Sequence, residues 1–334
     1  MKILFRVDAG GELGLGHYYR SFALAKSLVK NGHEIIFIHL QSDFWESEKI
    51  KGIPFQNFEI NPSDQLNELL IIKDCLIDLF YVDGVIEFDS SYIAQIKKYV
   101  KIVFYQNISD SRQLSDIFIL PSIHQQNKFF DKFHPSTKIY QGLKYFTFHN
   151  KVISLKKKGY IDYVKNIGII AGGSDPKNTM KIIQGMLDCI EYKDLNFTFY
   201  YGSDYKYLTL LKKYKAKHLK FKYNQFEHQD ILKNDLLISA FGVSTYEFMA
   251  LGMPILSYGH QKANAQALDY LAKHTQALIS IGHIDELNNS KLRKELTDLI
   301  NNQSKRNNLA NLAKMTVDFE GINRIMKIIE NEKQ

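Results

Sequence analysis

Three times in this 334-residue chain a short apolar run breaks at a glycine-bearing loop and gives way at once to a helical period. The junctions are Ile3–Val7 into Asp8, Gly10, Gly11, Gly14 and Gly16; Asn166–Ala171 into Gly172, Gly173, Ser174 and Asp175; and Asp235–Ala240 into Phe241, Gly242, Val243 and Ser244. Strand, turn, helix is the repeating unit of a parallel sheet, because a parallel neighbour can be reached only through a crossover. The spaces between the junctions carry the same alternation. Glu34–Ile38, Leu79–Asp83, Lys101–Tyr105, Phe197–Tyr201, Ile255–Tyr258 and Ala277–Ile281 read as strands. Tyr18–Val29, Leu66–Ile72, Ser91–Tyr99, Asn178–Ile190, Tyr205–Tyr214, Val243–Leu251 and Asn264–Lys273 read as helices. Between about Lys144 and Tyr163 the alternation lapses around Lys156, Lys157, Lys158 and Gly159, which reads as a linker. The expected class is α/β, with a Rossmann-like, doubly wound domain over residues 1–150 and a second over 151–317. Residues 318–334 place Phe319, Ile322, Ile325, Met326, Ile328 and Ile329 at helical spacing, which predicts a helix packed back on the first domain.

Composition narrows the function. Hydrophobic residues at 45% and charged residues at 24% are those of a globular enzyme rather than a disordered chain. The net charge of +7 suits nucleic acid, acidic lipid or an anionic small molecule. The densest basic run, Lys212–Lys222, reads as solvated helix and strand faces, and no nucleic-acid-binding signature accompanies it, so no nucleic-acid partner is expected. Cys75 and Cys189 stand far apart without metal-ligand spacing, which points to a reducing, cytoplasmic compartment and away from disulfides or zinc. Met1–Val7 runs straight into Asp8 without a signal-peptide pattern, and the apolar stretch Leu69–Val82 is broken by Lys73, Asp74 and Asp78, so no integral membrane segment is expected. No D-x-D, H-E-x-x-H, G-x-G-x-x-G or P-loop pattern occurs, so neither metal nor cofactor is expected.

The first junction carries the sharpest chemistry. His17 stands between the glycines and the first helix, where an imidazole can take or give a proton near neutral pH. Arg6, Asp8, Gly14, Gly16 and Arg20 surround it in sequence and are candidates for sugar or phosphate contacts. Gly172, Gly173, Ser174, Asp175 and Asn178 can cradle a diphosphate through backbone N–H groups; Asp175-Pro176 also reads as a plain turn and cap. At the third junction Ala240, Gly242, Val243, Ser244 and Thr245 open a helix, Glu247 can accept hydrogen bonds from sugar hydroxyls, and Asn264 can touch phosphate or sugar. Glu247 equally reads as a dipole-stabilising first-turn acid.

Phe5-Arg6-x-Asp8 through Gly14-x-Gly16-His17-x-x-Arg20, with Leu24-Ala25-x-x-Leu28 and Gly32, resembles the opening of the UDP-sugar hydrolases of pseudaminic acid biosynthesis and of the related predicted spore-coat polysaccharide glycosyltransferases. Gly172-Gly173-Ser174-Asp175 with Asn178, and Ser239-Ala240 through Glu247 and Pro254, are similar to that family's second-domain motifs. The resemblance implies a GT-B fold, two Rossmann-like domains facing a cleft, with a UDP-sugar as substrate. It also implies that uridine and diphosphate rest on the second domain and that His17 activates water for attack on the anomeric carbon. The sequence departs from the hydrolase pattern at Gly84-Val85, at Gln106-Asn107 where an acidic pair is usual, and at Thr147-Phe148-His149-Asn150. The expectation is metal-independent cleavage of a UDP-activated amino or deoxy sugar by water, in nonulosonic acid or surface-glycan biosynthesis. Its rivals are transfer to a glycan, lipid or protein acceptor, and a non-catalytic nucleotide-sugar-binding protein.

Overall fold

The computed structural model describes residues 1–9, 16–46, 55–61, 67–84, 86–156 and 158–333. Gly10, Gly11 and Gly14 of the opening loop, with Val85 and Lys157, lie outside the described residues. The chain divides into two units: unit 1 comprises Met1–Asn150 with Phe319–Gln334, and unit 2 comprises Lys151–Asp318.

Unit 1 is built on strands β1 (Lys2–Val7), β2 (Glu34–Leu40), β3 (Gln56–Ile60), β4 (Leu79–Asp83), β5 (Lys101–Tyr105), β6 (Ile117–Leu120) and β7 (Lys138–Gln141). They form one sheet in the order β3-β2-β1-β4-β5-β6-β7, parallel throughout. Helices α1 (Gly16–Lys30), α2 (Asp43–Glu46), α3 (Asn67–Asp74) and α4 (Ser90–Ile96) connect them, and α5 (Asn150–Ile153) follows. Alternation along each strand sends side chains to opposite faces. Leu4, Ile36, Val82, Phe80 and Phe104 therefore meet Ile72, Tyr92, Ile93 and Ile96 of α3 and α4 in one cluster. Phe5 packs at a tilt against Phe37 and Tyr81 on the opposite face.

Unit 2 has strands β8 (Asn166–Ile170), β9 (Asn196–Tyr201), β10 (Phe221–Gln225), β11 (Leu236–Ala240), β12 (Ile255–Gly259) and β13 (Ile279–His283), in the parallel order β10-β9-β8-β11-β12-β13. Its helices are α6 (Thr179–Leu187), α7 (Leu208–Lys212), α8 (His228–Ile231), α9 (Val243–Ala250), α10 (Lys262–Thr275), α11 (Asn289–Asn301) and α12 (Gln303–Thr316). The last helix, α13 (Gly321–Glu330), belongs to unit 1 and buries Gly321, Ile322, Ile325, Ile328 and Ile329. Its entry is tight, since a side chain at Gly321 would overlap the Phe146 carbonyl oxygen at 2.0 Å. Asn31 donates to Glu330 at 3.0 Å, and Glu332 pairs with Lys101 and Lys138.

In each sheet the first strand of the unit has its successor on one side and a later strand on the other: β1 lies between β2 and β4, β8 between β9 and β11. That reversal opens a crevice beyond the carboxyl ends of the strands, the usual ligand position in open parallel sheets.

Candidate active site

Unit 1 concentrates its polar chemistry at that reversal, on Asp83 at the end of β4. The strand, Leu-Phe-Tyr-Val-Asp, is buried from end to end, so its last residue is a carboxylate with no access to water. Three residues of α1 reach it. His17, Arg20 and Ser21 stand at i, i+3 and i+4, the spacing that stacks side chains on one helix face. Arg20 donates from Nε to Asp83 Oδ2 at 2.8 Å and from Nη2 to Oδ1, and Ser21 Oγ donates to Oδ2 at 2.6 Å. Arg20 also donates to Gln106 Oε1 at 2.6 Å, and its guanidinium lies 4.8 Å from the Tyr105 ring centre. Burial alone pushes the Asp83 carboxyl up, but Arg20, and after it His17, outweigh burial and hold it at about 2. Burial likewise opposes the Arg20 charge, and Asp83 more than restores it, so the guanidinium loses its proton even less readily than usual. Burial pushes the Tyr105 hydroxyl up to about 12.

His17 meets this pair through one ring nitrogen. Nδ1 lies 2.9 Å from Asp83 Oδ1 and 2.7 Å from Arg20 Nη2, and the side chain keeps 27% of its surface exposed. A proton on Nδ1 is donated to Asp83; a bare Nδ1 accepts from Arg20 instead. In the first tautomer the lone pair sits on Nε2, which has no hydrogen-bond partner among the described residues. An imidazole held this way through Nδ1 presents Nε2 as a site that can accept a proton. Gly84, with φ at +112°, makes room for it, because a Cβ there would press on Nδ1 at 3.3 Å.

Other residues singled out in this region have different work. Arg6 shares the sheet face of Leu4, opposite to that of Asp83, and pairs with Asp8 at 2.9 Å with Glu68 at 4.0 Å. Asp8 in turn accepts the Leu40 N–H at 2.9 Å, tying β1 to β2. The structure therefore does not bring Arg6 and Asp8 to His17. Arg20, expected to face a ligand, has its guanidinium committed to Asp83 and Gln106. Gly16 opens α1 with nothing within 4 Å of a notional Cβ, and Gly14 lies outside the described residues.

In unit 2 the loop after β8 turns at Gly172, whose φ is +83°. Gly173 is approached so closely by the end of β9 that a side chain at Gly202 would meet its carbonyl oxygen at 2.2 Å. Ser174 is exposed, whereas Asp175 folds inward. Its carboxylate accepts from the Thr179 N–H, the Thr179 hydroxyl and the Met180 N–H at 2.8, 2.8 and 2.9 Å. Asn178, at φ +51°, accepts from the Tyr205 hydroxyl at 2.6 Å. Asp175 thus places a negative charge at the amino end of α6, as a turn and cap does.

The amino end of α9 is different. Gly242 precedes it and its first turn carries no acidic residue, so its leading N–H groups face no competing carboxylate on that turn. Thr245 is buried, closing the cap by accepting the Gly242 N–H and donating to the Ala240 carbonyl, each at 3.2 Å. Ser244 is half-buried, Val243 is exposed, and Glu247 one turn on is buried with Oε2 3.3 Å from His228 Nε2. Asn264 sits half-buried in the first turn of α10. The described residues hold no group of three or more His, Cys, Asp or Glu placed to share a metal ion, and no helix among them is long and apolar enough to cross a membrane.

Sequence reasoning passed over Asp83, Ser21 and His228 as site residues and marked Gln106 only as a departure from the hydrolase pattern. The signal for Asp83 was present, an acid closing a wholly apolar strand. His228 had none, since its contact with Glu247 is made only by folding.

No protein-family model matches the chain. An uncharacterised protein of Methanocaldococcus jannaschii is 31% identical over 307 residues, which cover 86% of this chain and 60% of that protein. The chain thus spans about 60% of the length of the curated relative it matches. Among solved structures, Acinetobacter baumannii MurG superposes with a TM-score of 0.73 at 14% identity, covering 99% of this chain and 100% of that one. UDP-GlcNAc 2-epimerase from Neisseria meningitidis, bound to UDP-GlcNAc, gives 0.65 at 13% identity over 99% and 100%. Staphylococcus aureus MnaA with UDP gives 0.63 at 15% identity over 98% and 96%. With both parallel-sheet units matched over nearly their whole length, the chain has the GT-B fold.

Proposed function

We propose that the protein cleaves the anomeric C–O bond of a UDP-activated amino or deoxy sugar and releases UDP, with His17 as general base. The supporting observation is the Asp83 carboxylate, buried and charged, with Nδ1 of His17 against it and Nε2 uncommitted. In the reaction Nε2 takes the proton of the attacking oxygen as that oxygen bonds to the anomeric carbon. The bond from that carbon to the β-phosphate oxygen breaks, its electron pair leaves with UDP, and Asp83 stabilises the imidazolium. In unit 2 the nucleotide is assigned to the α9 end: backbone N–H groups after Gly242, with Ser244, for the diphosphate and Glu247 for ribose hydroxyls. Nucleotide-bound neighbours of the same fold, one with UDP and one with UDP-GlcNAc, support that substrate class.

Water is the attacking group on the hydrolase resemblance. A second reading, transfer to a glycan, lipid or protein hydroxyl, is favoured by one observation: the departures from the hydrolase pattern fall on the network itself. Gln106 binds Arg20, Gly84 underlies His17, and Thr147 meets the Tyr105 hydroxyl at 3.2 Å. Incubation with a panel of UDP-sugars decides. UDP release without acceptor supports hydrolysis, and release only with an added acceptor supports transfer. UDP binding by calorimetry without release of UDP from any sugar overturns both and leaves a nucleotide-sugar-binding protein.

A further inference from the structure

Between Asp204 and Glu227 the chain carries no acidic residue, and seven lysines stand there: Lys206, Lys212, Lys213, Lys215, Lys217, Lys220 and Lys222. All seven are exposed, and none forms an ion pair among the described residues. Five of them, Lys212 to Lys220, lie on the end of α7 and on the loop that leads into β10. The fold sets their place. β10 is an edge strand paired only with β9, and the loop enters it at its amino end, opposite to the strand ends that carry Gly172, Gly242 and Asn264. The loop is pinned there by Asp188, whose carboxylate accepts the Lys217 and His218 N–H groups at 2.7 and 3.0 Å. That acid hydrogen-bonds the backbone rather than an ammonium group, and its single charge offsets only one of the seven. Glu191 and Asp194, on the preceding connection, make no ion pair with them.

We propose that this end of unit 2 docks on the surface of an anionic lipid bilayer. The chemistry of the strip separates that partner from a nucleic acid. Its cations are all lysines, compact point charges suited to a smeared field of headgroups, and it lacks the arginine forks that read phosphates and bases individually. Its aromatic rings are not a stacking platform: Phe221 and Tyr223 pack edge-on and stacked against Phe199, and the Tyr223 hydroxyl donates to the Leu211 carbonyl at 3.3 Å. Leu210, 49% exposed, lies one helical turn from Lys213 and adds an apolar contact on the same face. Docking by this end directs the carboxyl-end loops of the unit 2 sheet away from the bilayer.

Co-sedimentation with vesicles tests it, using phosphatidylcholine alone against phosphatidylcholine with about a third phosphatidylglycerol, since each lysine near an anionic surface raises partitioning about fivefold. The full chain is expected on the anionic vesicles only, and to leave them as salt is raised. Replacing Lys212, Lys213, Lys215, Lys217 and Lys220 by Gln is expected to cut partitioning by more than a hundredfold on that same scale. Those side chains are exposed, so circular dichroism should be unchanged. Replacing Lys26, Lys30, Lys98, Lys128 and Lys132 of unit 1 by Gln removes the same charge and should keep most of the binding. Equal loss in both variants, no binding by the unaltered chain, or tighter binding to an oligonucleotide abolished by the first set would each overturn the proposal.

Discussion

Gly84 decides how close an imidazole can come to the end of β4. Its backbone lies in the left-handed region and a Cβ would press on the His17 ring, so Gly84→Ala is expected to cost about 1–3 kcal/mol and to displace the ring, read by urea unfolding and by loss of UDP release. His17→Ala should leave the melting temperature close to that of the unaltered chain and lower turnover by about 10²–10⁴-fold. Full turnover in that variant would remove the base from the mechanism. Asp83 makes a separate prediction through pH. Its carboxyl is held below the ordinary aspartate value, so its ionised form stabilises the folded chain above pH ~4 by roughly 2 kcal/mol. That contribution fades as pH falls through the window toward about 2. Asp83→Asn leaves Arg20 buried without its charge partner, costing about 3–5 kcal/mol near neutrality, and the gap between the two proteins should narrow over that acid window. A gap constant with pH would mean that the fold does not hold the Asp83 carboxyl below its ordinary value. At this scale the sequence marked His17 as a candidate, because a histidine at a strand-glycine-helix junction is visible as a pattern. It hid the role of Arg20, since a basic residue one turn along looks like a ligand contact until the fold supplies a buried acid beneath it.

Among elements, α6 and α9 invite comparison because both begin after glycine loops and only one has its amino end filled from within. Asp175→Ala is expected to cost about 1 kcal/mol of stability and to leave UDP affinity undiminished. Glu247→Ala should weaken UDP binding about tenfold or more, if its carboxylate holds the ribose. Calorimetry on both variants checks the assignment, and the reverse pattern would move the nucleotide to the first loop. The interior strands were legible because burial on both faces writes a continuous apolar run, as in Leu79–Asp83 and Lys101–Tyr105. The three strands β3, β7 and β10 were not. Each lies at a sheet edge, where one flank faces water, and Gln56–Ile60, Lys138–Gln141 and Phe221–Gln225 carry at least as many polar as apolar residues. β6 escaped for another reason: four apolar residues are too short a run to distinguish strand from buried helix.

For the whole molecule, the division of unit 1 between the two ends of the sequence matters most. Its Trp45 is the chain's one tryptophan and is buried, so its fluorescence follows unit 1 without interference from unit 2. Ile325→Ala, at a fully buried position of α13, is expected to cost about 2–5 kcal/mol and to lower the Trp45 unfolding midpoint. An unchanged midpoint would mean that unit 1 holds without α13. The same split sets the order in which the protein is made. A contiguous unit 2 has every residue it requires once Asp318 has left the ribosome, while the segment synthesised first must wait for Phe319 onward before its α1 face is covered. The half translated earliest is therefore the half completed last, and it is the half most exposed to chaperones and proteases during synthesis.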